Sequence, residues 1–144
     1  SGYPDIITIN PVNENPVERI KKETGGRGVD IAYEAVGHAS PIEGVAHPVR
    51  SCVQSIRGAG KIMVLGLADD VAPVNMKELI LKEGKIIASR VSHGEFKETI
   101  NNLSGHKLKA ENLITNEVQA SEAQEAFRML EEAPQNHLKI LLEL

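Results

Sequence analysis

Arg27-Gly28-Val29-Asp30-Ile31-Ala32-Tyr33-Glu34-Ala35-Val36-Gly37 is the stretch whose reading decides the fold. Val29, Ile31 and Tyr33 alternate with Asp30, Ala32 and Glu34, which is the period of a strand rather than a helix. Gly26 and Gly28 punctuate its start, and Gly37 stops it where a strand hands over to a helix. Open parallel sheets hold their ligands beyond such strand ends, because bare backbone admits close approach. A buried strand followed by an ordinary glycine turn reads the same residues equally well.

Outward from this stretch the grammar is strand and helix in alternation. Residues 5–10 (Asp-Ile-Ile-Thr-Ile-Asn) are rich in β-branched side chains and read as a short buried strand closed by Asn10-Pro11. Asn15, Pro16 and Glu18 are three helix-start signals in a row, and Gly25-Gly26 ends that helix. A second helix is expected from Ser40, with Glu43 completing a capping box. It carries Val45, Val49, Cys52, Val53 and Ile56, and Pro48 kinks it or splits it in two. Gly58-Ala59-Gly60 then turns into a strand at 61–67, whose near-continuous apolar run suits burial on both faces. Val71 to Val74 forms an extended arm, Asn75 with Glu78 caps a short helix, and residues 85–91 form the next strand. The alternation favours a parallel sheet.

The pattern loosens afterwards. Residues 95–104 form an amphipathic helix ending at Gly105, and 113–115 a brief extended piece. A last helix opens at Ser121 with Gln124 and carries Ala123, Ala126, Phe127 and Leu130. A terminal strand follows at 138–144.

Composition excludes several function classes. The 144 residues carry a net charge of −4 with Lys and Arg scattered, so no basic stripe argues for nucleic acid. Apolar runs of four or five residues are far short of the ~20 a membrane helix needs, and no signal segment is expected. One cysteine, Cys52, excludes an internal disulfide framework and fits a cytoplasmic setting. It lies on an apolar stripe and reads as a core thiol rather than a nucleophile. The histidines (38, 47, 93, 106 and 137) show no metal-ligand spacing and read as turn and surface residues. Asp69-Asp70 reads as an exposed loop. No G-x-G-x-x-G, Walker loop or Gly-x-Ser-x-Gly elbow occurs. What remains is a coordinated set of strand ends, Val36-Gly37, Leu65-Gly66-Leu67 and Ala88-Ser89-Arg90, along one edge of a parallel sheet.

Thr24-Gly25-Gly26-Arg27-Gly28-Val29-Asp30, Glu34-Ala35-Val36-Gly37, and Gly60-Lys61-Ile62 leading to Leu65-Gly66-Leu67 resemble the zinc-type medium-chain dehydrogenase/reductase family, which is alcohol dehydrogenase-like. So do Leu113-Ile114-Thr115, Glu122-Ala123, Glu125-Ala126-Phe127 and Leu138-Lys139-Ile140. The resemblance spans nearly the whole chain but only the C-terminal part of such an enzyme. It implies a partial Rossmann-like, doubly wound parallel sheet holding the family's third to sixth strands, at 5–10, 29–34, 61–67 and 85–91. The expected domains are 1–105, a partial dinucleotide-binding unit, and 106–144, a segment completing the family's catalytic domain.

The resemblance also implies a site. Residues matching Val36 and Gly37 lie by the cofactor, those matching Leu65, Gly66 and Leu67 by the nicotinamide, and those matching Ser89 and Arg90 nearby. The position of Lys139 often holds a cation near the pyrophosphate; a solvated strand residue is an equal reading. No catalytic or metal-ligating residue is assigned in this chain. Its parent is read as a zinc- and NAD- or NADP-dependent alcohol or polyol dehydrogenase. The alternatives are a zinc-free quinone or enoyl reductase and a non-catalytic, self-associating domain. The chain alone is expected to be inactive, to bind no zinc, and to bind dinucleotide weakly or not at all. A homodimer through the strand 85–91 is expected, and strand 5–10 is expected to close up against 29–34.

Overall fold

The computed structural model describes residues 5–41, 43–69, 71–90 and 92–144. Asp70 and Val91, and with them parts of the expected 69–70 loop and 85–91 strand, lie outside the described residues. The chain divides into two compact units, Ser1–Val91 and Ser92–Leu144. The expected boundary at 105 differs from this division by the helix that precedes it.

In the first unit, helix α1 (Pro16–Glu23) forms where its start signals place it. The Asn15 side chain accepts hydrogen bonds from the N–H groups of Val17 (3.0 Å) and Glu18 (3.3 Å), and Pro16 occupies the first turn, where no N–H is needed. Strand β1 (Val29–Glu34) follows. Helix α2 is Pro48–Ser55, running directly into strand β2 (Ile56–Val64); helix α3 is Met76–Leu81 and strand β3 is Lys85–Ala88. The sheet is parallel in the order β1-β2-β3.

Three expectations are corrected. Residues 5–10 form no strand, and Ile6 and Ile7 are exposed. β-branched residues favour a strand only when a neighbour supplies the ladder, and here β1 pairs with β2 alone. The segment instead enters a turn in which Asn10 O accepts from the N–H groups of Asn13 and Glu14. It therefore does not close up against 29–34. The second helix starts at Pro48 rather than near Ser40. Gly44 has φ +82°, and Pro48, lacking an N–H, fits the first turn without a kink, capped by His47 Nδ1, which accepts from Val49 N–H at 3.3 Å. Gly58-Ala59-Gly60 is no turn between elements; it is an excursion within β2. Val29 pairs with Ile56 and Ile31 already with Lys61, so β2 bulges between these two registers.

The core is small. Val53, Ile56, Ile62 and Leu79 are buried together, with Val29, Ala32, Cys52, Val64 and Val74 packed around them. Lys82 ties the helices: its Nζ donates to Val53 O (2.7 Å) and Gln54 O (2.9 Å) at the end of α2 and pairs with Glu78 of α3 (3.1 Å). Pleating sends Ala32, Glu34, Ile62 and Val64 toward the helices. On the other face Tyr33, Met63 and Ile87 form one row in register, and Ile31, Tyr33 and Ile87 are exposed. Within this unit, α2 and α3 pack their core residues Val53 and Leu79 on the opposite face, against Ile62.

The second unit contains α4 (Phe96–Ser104), β4 (Asn116–Gln119), α5 (Ala123–Glu132) and β5 (Ile140–Glu143), with β4 and β5 parallel. Of the expected extended piece at 113–115, Leu113 ends a short 3-10 turn, Glu111–Leu113, while Ile114 is extended on the way into β4. The capping box forms between Gln119 and Glu122 rather than between Ser121 and Gln124. No helix among the described residues is long and apolar enough to cross a membrane.

Candidate functional site at the strand ends

The ends of the three parallel strands are tied beyond the regular ladder. Leu65 N–H and Gly66 N–H both donate to Glu34 O, at 2.7 and 3.0 Å, and Ser89 N–H donates to Val64 O at 2.9 Å. Each strand is thus fixed to its neighbour one or two residues past its last ladder position. Val36, Gly37, Leu65, Gly66 and Leu67 come together, with Ser89 and Arg90 continuing the edge at the end of β3.

Two glycines make this crossing possible. Gly37 has φ +86°, and a Cβ there would lie 2.7 Å from Leu67 N. A Cβ on Gly66 would meet Gly37 N, Gly37 Cα (2.6 Å) and the Glu34 Oε2 atom (2.7 Å). The two backbones touch with no room for a methyl group. Around them Val36, Leu65 and Leu67 are 51%, 49% and 84% exposed, so three apolar side chains face solvent where a polar loop is the ordinary outcome.

The sequence reading passed over the residue that organises this edge. Glu34 was only the last polar position of an alternating strand, but it is 2% exposed. Its Oε1 accepts from Val36 N–H and Gly37 N–H, both at 2.8 Å. The available signal was a carboxylate on the helix-facing side of a strand, three residues before a glycine. His47 is a second correction: it is buried at the start of α2, not a surface residue, and its Nε2 has no hydrogen-bond partner among the described residues. His38, His93 and His106 are exposed, whereas His137 is half-buried with Nδ1 2.7 Å from Asn116 Oδ1.

Cys52 packs against the core. Burial first, and the nearby negative charge of Glu34 second, push its thiol up to about 11, which keeps it protonated and unreactive at neutral pH. At the opposite end of β1, Arg57 and then Arg27 hold the Asp30 carboxyl below the usual carboxylate range, with Arg57 Nε 2.5 Å from Asp30 Oδ1. Lys139 belongs to the second unit. Its side chain is exposed and its carbonyl accepts from Thr115 N–H (2.8 Å) and Thr115 Oγ1 (3.1 Å).

A family profile described as zinc-binding dehydrogenase matches residues 7–105. The chain belongs to the zinc-binding dehydrogenase family. Among curated relatives of this family, an uncharacterized zinc-type alcohol dehydrogenase-like protein of Haemophilus influenzae is 31% identical over 132 residues, which is 92% of this chain and 36% of the relative. A (R,R)-butanediol dehydrogenase of Neisseria gonorrhoeae is 25% identical over 143 residues, 99% of this chain and 38% of that protein. The chain therefore spans little more than a third of the length of these relatives. Among solved structures, an alcohol dehydrogenase from Thermus sp. ATN1 superposes with a TM-score of 0.83 at 23% identity, covering 96% of this chain and 38% of that one. The short chain alcohol dehydrogenase rspB from E. coli CFT073, complexed with NADH, gives 0.77 at 23% identity over 91% of this chain and 36% of that one. These two likenesses speak for the fold.

The family's two non-protein groups fare differently against the residues present. No set of three His, Cys, Asp or Glu side chains among the described residues is placed to hold a metal ion, so no step is derived through zinc. The lining of the strand-end edge is compatible with a dinucleotide: exposed Val36, Leu65 and Leu67 stand beside a tightly packed Gly37–Gly66 backbone crossing.

Proposed function

We propose that this chain forms the nicotinamide side of the cofactor domain in a zinc- and NAD(P)-dependent alcohol or polyol dehydrogenase. The observation that carries the reading is the joined edge of Val36-Gly37, Leu65-Gly66-Leu67 and Ser89-Arg90 at the ends of three parallel strands. The names of the relatives, alcohol and butanediol dehydrogenases among them, support the substrate class.

When bound, the dinucleotide supplies a nicotinamide ring that accepts a hydride from a carbinol carbon. The residues of this chain bind and orient. Val36, Leu65 and Leu67 offer apolar surface to one side of a flat ring and keep water from it. The crossing glycines let the two strand ends pack directly, which holds this surface in place, and Ser89 and Arg90 supply the polar border. Lys139 is proposed to face a phosphate. Zinc belongs to the whole protein in this reading, on ligands outside the described residues. A cytoplasmic homodimer joined along β3 completes it: Ile86 and Ile87 lie exposed on an edge strand that would pair with a second copy.

The test is to assay the protein carrying this sequence, at its natural length, for reduction of NAD⁺ or NADP⁺ by a panel of secondary alcohols and polyols, before and after chelation. Alcohol-dependent reduction lost on chelation and restored by zinc is expected. Turnover of quinones or enones that survives chelation, with no alcohol oxidation, would replace this reading with a zinc-free reductase.

A further inference from the structure

Glu34 stands out as a buried acid that makes no ion pair among the described residues. Burying a carboxylate is costly unless hydrogen bonds compensate, and a strand end that only needed filling would carry an apolar side chain. What the carboxylate holds is local and specific. Oε1 takes two successive N–H groups, those of Val36 and Gly37, which have no ladder partner. The main-chain oxygen of the same residue takes Leu65 N–H and Gly66 N–H. Oε2 is buried without a hydrogen-bond partner among the described residues and lies over Gly66, 2.7 Å from where a Cβ would stand. One residue thereby fixes the peptide planes on both sides of the crossing.

We propose that Glu34 is a positioning residue for the cofactor: its carboxylate, acting only as a hydrogen-bond acceptor, sets the 36–37 peptides against 65–67 so that the nicotinamide meets a preformed edge. This rests on the cofactor reading of that edge. A preformed edge spares the bound state the cost of ordering a loop, and the position of Glu34 behind the glycines keeps its own atoms out of the ring's way.

The test uses the ¹⁵N-labelled protein at its natural length with two substitutions. Glu34→Met keeps volume and removes the acceptor; the Val36 and Gly37 N–H groups it strands cost about 1–3 kcal/mol, offset in part because no carboxylate is buried any longer. Glu34→Gln removes the charge and keeps an oxygen that reaches both N–H groups. Amide exchange at Val36 and Gly37, the thermal midpoint, and NADH titration followed at the amides of 36–37 and 65–67 are read together. Glu34→Met is expected to fold with a midpoint lowered by only a few degrees, to exchange about tenfold faster or more at Val36 and Gly37, and to bind NADH about tenfold more weakly. Glu34→Gln is expected to restore both to within about threefold of the unsubstituted chain, as the loss of one charge with its acceptor retained requires.

Glu34→Met binding NADH as tightly as the unsubstituted chain would overturn the proposal alone. So would Glu34→Gln as weak as Glu34→Met, since charge rather than acceptance would then matter. An unfolded Glu34→Met beside a folded Glu34→Gln would make Glu34 a support of the sheet and overturn it too. An unsubstituted protein of natural length with no NADH shifts at 36–37 and 65–67 would instead overturn the cofactor reading, and the proposal with it.

Discussion

Gly66→Ala is the substitution that puts the strand-end geometry under most stress. The added Cβ would sit 2.6 Å from Gly37 Cα and 2.7 Å from Glu34 Oε2, well inside any real carbon contact. Gly66 has no positive φ to explain its identity, so any effect is steric. The ends of β1 and β2 must part by about 1 Å, the scale on which overpacking costs roughly 1–3 kcal/mol. Parting them also stretches the bonds from Leu65 N–H and Gly66 N–H to Glu34 O, each worth about 1 kcal/mol. These describe one event from two sides, so the expected loss is about 2–3 kcal/mol. Gly58→Ala is the control, because it lies in β2, the strand that leads to Gly66, with nothing within 4 Å of its Cβ position. Urea unfolding followed by circular dichroism measures both. Gly66→Ala and Gly58→Ala agreeing to within about 0.5 kcal/mol would refute the reasoning that the glycines are there for contact.

Other outcomes follow from the core and its charges. Ile62 is fully buried at the centre of a four-residue core, and Ile62→Ala should lose about 3–5 kcal/mol in the same urea experiment. Lys82→Met should lose about 1–2 kcal/mol, since the carbonyls of Val53 and Gln54 lose their donor. The Cys52 thiol is raised from about 9 to about 11, so the fold favours its protonated form. That contribution is complete below pH ~9 and is lost as the pH climbs from there to ~11. The difference in stability between the chain and Cys52→Ala, measured across that range, should show the fall.

The parallel α/β character was legible because period-two apolar strands and capped helices are local signals. Asn15 and Asn75 cap the helices they were expected to cap, through bonds to residues two or three positions on. The failures are non-local. Residues 5–10 have a strand's composition, but no strand of the described residues lies beside them to supply a ladder. Ser40, Pro41 and Glu43 mimic a helix start, and only the left-handed Gly44 and the cap from His47 reveal that the true start is Pro48. The candidate edge was legible as three strand ends sharing one side of a sheet. Glu34 was not, because its role depends on burial against α2 and on a backbone crossing with Gly66, neither of which a strand's own sequence records.

The central claim is that this edge receives the nicotinamide half of a dinucleotide. Saturation-transfer NMR on the chain with NADH in excess tests it directly, by comparing saturation of the nicotinamide protons with that of the adenine protons. The account predicts stronger saturation on the nicotinamide ring, reduced by Gly66→Ala and unchanged by Gly58→Ala. Saturation centred on the adenine, or a nicotinamide signal indifferent to Gly66→Ala, would contradict it.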